Sequence, residues 1–211
     1  MVDATRTVLL HGAAPESFRV LMVTSALQGE GKTFVSSHLA GSLARAGLRT
    51  LLVDGDLRNP ALHRLFGLGQ APGLSELLRG EAAIADTIQP GLVDGLSILP
   101  AGRWDSMAVR ALAQGRLTAI LQMVRENYDM VVIDSAPVLP VADTLLIGRH
   151  VDGVLFSVLR DVSRLPAVHA AYARMAQLQL PILGAVMGGT GRDAYGPYSY
   201  GAAEPTEPPL A

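Results

Sequence analysis

The 211-residue sequence contains no cysteine, which excludes disulfides, thiolate metal sites and thiol nucleophiles together. Neither sign of charge is in excess. Seventeen basic and 19 acidic residues leave a formal net charge of -2 and a pI of about 6.2, so no basic field points to a nucleic-acid partner. The five histidines, His11, His38, His63, His150 and His169, are too widely separated to read as a metal cluster. Long uncharged apolar runs are missing as well. The richest stretch, "MVVIDSAPVLPVADTLLIG", carries Asp134 and Asp143, whereas a membrane-spanning helix wants about 20 mostly uncharged residues. "MVDATRTVLLHGAAPES" lacks the basic start and apolar stretch of a signal peptide. The expectation is a cytoplasmic chain.

What is abundant is apolar residues, 49% of the sequence, with a mean hydropathy of +0.31. Such an excess suits a parallel sheet covered on both faces, whose strands read as continuous apolar runs. Strands are expected at 19–24, 50–54, 96–100, 130–134, 153–159 and 182–187. Helical patterns fall between them at 32–46, about 60–67, 74–79, 106–126, 140–149 and 164–178. Strands alternating with helices imply crossover connections. The expected fold is therefore α/β, a mostly parallel doubly wound sheet with helices on both faces. The length fits a single α/β domain over 19–189, preceded by a loose lead-in over 1–18. Residues 190–211 are rich in Gly, Pro and Tyr without an apolar period, and a flexible tail is expected there.

Three motifs carry chemistry. The first is "SALQGEGKT", which follows the first strand run and opens a helix. Glycines in such a loop let backbone N–H groups face an anion, and the helix start adds partial positive charge. Gly29, Glu30, Gly31, Lys32, Thr33 and Phe34 are the candidate nucleotide-binding residues. Lys32 is placed to reach terminal phosphates and the Thr33 hydroxyl to ligate Mg²⁺. The full pattern asks for glycine five residues before Gly31, where this chain has Ala26. The second motif is "LLVDGDLRNP": Asp54 and Asp56 end an apolar run, with Arg58 beyond. Carboxylates at the C-terminal edge of a parallel sheet sit where α/β folds bind ligands, and hard oxygens suit Mg²⁺. Read alone, it is equally an Asp/Gly turn. The third is "MVVIDSAP", an apolar strand ending at Asp134, the usual second anchor of a nucleotide-bound Mg²⁺. Many buried strands end in Asp, so the weight rests on the three motifs occurring in this order.

With "SALQGEGKT", "LLVDGDLR" and "VVIDSAP" in place, the chain resembles the cytosolic kinase domain of the bacterial tyrosine kinases of capsule and exopolysaccharide export. The resemblance runs from about Arg19 onward, and the second motif is its most specific part. It implies an ATP- and Mg²⁺-dependent kinase that phosphorylates its own tail and regulates polysaccharide polymerisation and export. Lys32 and Thr33 would hold ATP and Mg²⁺, Asp54 would help accept the substrate tyrosine proton, and Asp56 and Asp134 would complete the metal shell with Thr33. Tyr195, Tyr198 and Tyr200 would be the phosphorylated tyrosines. The resemblance also implies a membrane-anchored activator, peripheral placement at the inner face of the membrane through that partner, and self-association.

The chain departs from the family pattern in two places. Of the Glu-x-x-Arg-x-x-Arg helix used for ring assembly, only "ESFR", Glu16 to Arg19, is recognisable. Related ATPases often read adenine with an asparagine after the last core strand, near where this chain has Gly188. Two alternatives stay open: a partitioning-type ATPase switch, and a non-catalytic nucleotide-binding regulatory subunit. The partitioning ATPases carry an extra lysine at the start of the phosphate loop, where this chain has Leu27.

Overall fold

Apolar runs and glycine turns dictate the layout of the computed structural model, which describes residues 2–11 and 18–189. In chain order the elements are α1 (Val2–His11), β1 (Val20–Thr24), α2 (Lys32–Arg45), β2 (Thr50–Gly55), α3 (Leu62–Phe66), α4 (Leu74–Arg79), α5 (Ile84–Thr87) and β3 (Gln89–Pro90). There follow β4 (Leu96–Leu99), α6 (Ser106–Ala113), α7 (Arg116–Asn127), β5 (Met130–Ser135), α8 (Asp143–Gly148), β6 (Gly153–Leu159), α9 (Leu165–Gln177) and β7 (Ile182–Gly188). The strands form one sheet in the order β3-β4-β2-β5-β1-β6-β7. Every pairing is parallel except the short β3–β4 ladder. The expected doubly wound α/β architecture is what the chain adopts.

Because strand side chains alternate, each central strand supplies both faces of the sheet. Val20 and Met22 of β1, Leu51 and Val53 of β2, and Val131 and Ile133 of β5 pack into one core with residues of α4, α6 and α7. Leu21, Val23, Leu52 and Val132 pack on the other face under Leu39 and Leu43 of α2. The parallel strands stack their C-terminal ends along one edge, and the loop after β1, the Asp-Gly-Asp turn after β2 and the end of β5 meet there. Gly55 makes the approach of β2 to β5 possible: a Cβ there would stand 2.9 Å from Ile133 Cγ2 and 3.1 Å from the Asp134 carbonyl oxygen.

All six expected strands are present within a residue or two. The helices differ in instructive ways. The continuous helix expected over 106–126 is two helices, because Gly115 takes φ 79° and breaks the run as the N-cap of α7. The lead-in expected to be loose contains α1 over residues 2–11, which lies against α2. There Arg6 donates to the Ser42 carbonyl (3.2 Å) and hydroxyl (3.0 Å), Ser42 donates to Asp3, and Leu9 is buried. No apolar period announces α1 because its anchor is a polar network to a helix distant in sequence. The sequence reading missed the short β3 and α5 entirely. Among the described residues, no helix is long and apolar enough to cross a membrane.

Candidate phosphate-binding site

At the C-terminal edge of the sheet the loop after β1 is drawn tight. Gly29 and Gly31 take φ of 83° and 81°, a left-handed conformation that side chains rarely adopt, and Gly31 becomes the N-cap of α2. Glu30 folds back so that its buried carboxylate accepts the Leu27 N–H at 2.7 Å. From β6, Ser157 donates its hydroxyl to the Glu30 carbonyl at 2.7 Å. The loop is therefore braced from within and from a neighbouring strand, with the first turn of α2 behind it. That is the geometry of an anion cradle.

Lys32 Nζ lies 3.5 Å from Asp56 Oδ2, and both side chains are nearly buried. The Thr33 hydroxyl donates to Asp134 Oδ2 at 2.7 Å. The other oxygen, Asp134 Oδ1, is buried without a hydrogen-bond partner. An orphaned carboxylate oxygen beside a threonine hydroxyl is the donor set expected to meet Mg²⁺, which takes few protein ligands and completes its shell with water and phosphate oxygens. The residues present fit a Mg²⁺–nucleotide. Phe34 is different: its ring is exposed and leans on His38, with centroids 3.9 Å apart, so only its backbone belongs to the cradle.

Asp54 and Asp134 are register partners on adjacent strands and both are buried. Burial pushes Asp54 up to about 7, against the backbone N–H groups of Leu62 and Ala61, with the nearby Asp134 charge adding to the rise. Burial likewise pushes Asp134 up to about 6, offset in part by Lys32 and the Thr33 hydroxyl. Asp54 Oδ2 accepts from Ala61 and Leu62 N–H at 2.9 Å each, and Oδ1 from Asp56 N–H at 3.3 Å. Asp56 Oδ1 accepts from Asn59 N–H at 3.0 Å. In this conformation Asp54 holds the 56–62 segment in place and is closed to solvent, a second occupation its sequence motif did not suggest.

Lys32, Thr33, Asp54, Asp56 and Asp134 thus converge on one edge, with Gly29 to Gly31 around them. Tyr195, Tyr198 and Tyr200 lie outside the described residues, as does Glu16. Two neighbours of the site carry no signal of their contacts in the sequence. Ser157 sits inside the apolar run of β6, where a lone serine gives no signal. Arg58, noted only as part of a motif, pairs with buried Asp143 at the start of α8 at 2.8 Å, tying the segment after β2 to the one after β5.

Comparison with known proteins follows the same geometry. Residues 18–147 match the model of an AAA domain family. The tyrosine-protein kinase Wzc of Salmonella typhi is 30% identical over 203 residues, covering 96% of this chain and 28% of that protein. The chain thus spans about a quarter of the length of the curated relatives it matches. The solved kinase domain of the Escherichia coli tyrosine kinase ETK superposes with a TM-score of 0.86 at 33% identity, covering 95% of this chain and 78% of that one. The septum site-determining protein MinD of Pyrococcus horikoshii, solved with Mg-ADP, is 24% identical with a TM-score of 0.67 and covers 81% of this chain and 70% of its own; it shares the fold.

Proposed function

The chain belongs to the bacterial tyrosine kinases, over the extent of their kinase domain, and from that premise we propose that it transfers the γ-phosphoryl group of ATP to tyrosine. The observation that carries the reading is the Thr33–Asp134 hydrogen bond with its orphaned Asp134 Oδ1, set beside Lys32 in a braced glycine loop. The absence of lysine at Leu27 supports a kinase over a partitioning ATPase.

The proposed roles follow from position. Backbone N–H groups of Gly29 to Phe34 receive the phosphates, and Lys32 leaves Asp56 to neutralise them. Thr33, Asp134 and Asp56 would hold Mg²⁺, which when bound would spread the negative charge of the phosphate oxygens. As the tyrosine oxygen bonds to phosphorus and the bond to the ADP oxygen breaks, a carboxylate takes the phenolic proton. A phenol of pKa near 10 gives up its proton only as the transfer proceeds. Asp54 is the proposed acceptor; in this closed arrangement burial pushes it up to about 7. Its contacts with Ala61 and Leu62 N–H must loosen for the tyrosine to reach it. A cytosolic segment of a membrane-anchored activator of polysaccharide export is the proposed trigger, so the isolated chain should be slow and its basal rate should rise when that segment is supplied. Tyr195, Tyr198 and Tyr200 are the proposed acceptors, modified between copies.

Mixing active chain with a mass-tagged Lys32→Met chain in Mg-ATP tests this. Phosphotyrosine on the inactive copy at these three positions is the expected outcome. No phosphotyrosine on either copy, with or without an activator segment, would reject the kinase reading.

A further inference from the structure

A second basic surface lies on the same edge of the sheet. β4 runs parallel beside β2, so the loop that follows it leaves the sheet on the side where Asp54 and Asp56 sit. This loop is held firmly. The buried Glu76 carboxylate accepts Gly73 N–H at 2.9 Å and Arg103 N–H at 3.1 Å, and Asp105 caps α6 through Met107 N–H at 2.7 Å. Trp104, the single tryptophan of the chain, is nonetheless half exposed on it, as is Met107. Met107 also lines a cavity of about 330 Å³ that opens between α4, α6 and the start of α7, together with Arg79, Arg110, Gln114 and Arg116.

The charges of the cavity and of the loop beside it are unevenly used. Arg79 takes all the nearby carboxylates: Glu81 at 2.6 Å, Asp105 at 3.2 Å and Glu76 at 3.5 Å. Among the described residues no acidic side chain pairs with Arg103, Arg110 or Arg116. The surface therefore offers an exposed indole, a methionine and three unspent guanidinium groups on a preformed frame. That combination suits an acidic, proline-containing peptide: aromatic grooves take proline faces, and arginines take carboxylates.

Such a peptide is present in this chain. Residues 204–211 read Glu-Pro-Thr-Glu-Pro-Pro-Leu-Ala, with two carboxylates, three prolines and no cation. We propose that this segment of one copy docks on the Trp104–Arg110–Arg116 surface of another and so presents the tyrosines before it to that copy's phosphate-binding edge. In an extended proline-type helix of three residues per turn, Glu204 and Glu207 fall on one edge and Pro205 and Pro208 on another. Three residues lie between Tyr200 and Glu204, a reach of roughly 13 Å in extended chain, so an anchored segment holds Tyr200 within that distance of its anchor, on the side of the sheet where β2 ends. The inference rests on the kinase reading for its purpose, yet the binding itself needs no ATP.

The sole tryptophan makes the test direct. The full chain carrying Glu204→Lys and Glu207→Lys, whose own segment is thereby spoiled, is titrated with a synthetic peptide of residues 204–211 while Trp104 emission is followed. Saturable change is expected, with half-saturation raised at least tenfold by Arg110→Glu. A peptide with both glutamates replaced by lysine should bind the Arg110→Glu chain better than the parent peptide does, which separates loss of contact from loss of fold. Unchanged emission, or binding indifferent to Arg110→Glu, would overturn the proposal. So would equal binding of a peptide whose three prolines are replaced by glycine. Binding without any kinase activity would leave it standing, and kinase activity without binding would remove it alone.

Discussion

The two ends of the central strands treat the same residue type in opposite ways. At the N-terminal end, Asp152 accepts Arg19 N–H at 2.9 Å, Val20 N–H at 2.8 Å and the Arg125 guanidinium at 2.9 Å. Burial alone would raise it, but these donors outweigh burial and hold it below the usual carboxylate range. Asp129 is held down by Arg49, which reaches it at 2.8 Å from the side chain and 2.8 Å from the backbone. At the C-terminal end, Asp54 and Asp134 are driven up to about 7 and about 6, and Asp134 leaves one oxygen unmet. One end closes its electrostatics internally and locks the strands to the surrounding loops. The other buries two carboxylates side by side and leaves one oxygen of Asp134 unmet, which is how a candidate ligand-binding edge differs from a structural one.

Removing the lysine of the glycine loop should break that contrast most sharply. Lys32→Met should lower Mg-ATP affinity or phosphoryl transfer about a hundredfold or more while the fold persists, since Lys32 sits at a loop–helix boundary. Calorimetry and a transfer assay check this; unchanged affinity together with unchanged transfer would dismiss the phosphate loop. Asp152→Ala attacks the opposite end. Two backbone N–H groups and Arg125 lose their acceptor, so the chain should lose on the order of 1–3 kcal/mol in urea unfolding without a change in nucleotide affinity. A nucleotide defect at unchanged stability would show that the two ends are not independent.

The pH slope reads the same contrast without a mutation. A carboxylate whose folded pKa is raised contributes stability that is present in full below its unfolded pKa and lost as pH rises through the folded value. Between about pH 4 and 7 the nucleotide-free chain should therefore lose stability through Asp54 and Asp134, seen as melting temperatures that fall as pH rises. Below that window the depressed Asp129 and Asp152 act with the opposite sign, and their contribution fades on acidification. His63 and His150, lowered by burial, oppose the slope near pH 6. Asp134→Asn should flatten the slope. Melting temperatures that rise steadily from pH 5 to 7.5 in the parent chain would contradict the burial-driven pair.

Local chemistry was legible in the sequence by itself. Apolar runs mark the six main strands because both faces of a parallel sheet are buried, and the phosphate loop and its two carboxylate motifs are contiguous words whose glycines and spacing carry their function. What only the tertiary structure decided are contacts between distant residues of unremarkable local context. α1 has no apolar period of its own and is held by Asp3, Arg6 and Ser42. Ser157 braces the loop from 127 residues away, and Arg58 finds Asp143 across 85. Asp54 reads as a carboxylate at the end of an apolar strand, and it becomes fully buried only because β2 and β5 lie in register and the 56–62 segment folds over it. Desolvation is a property of assembled surroundings, so no local pattern could announce it.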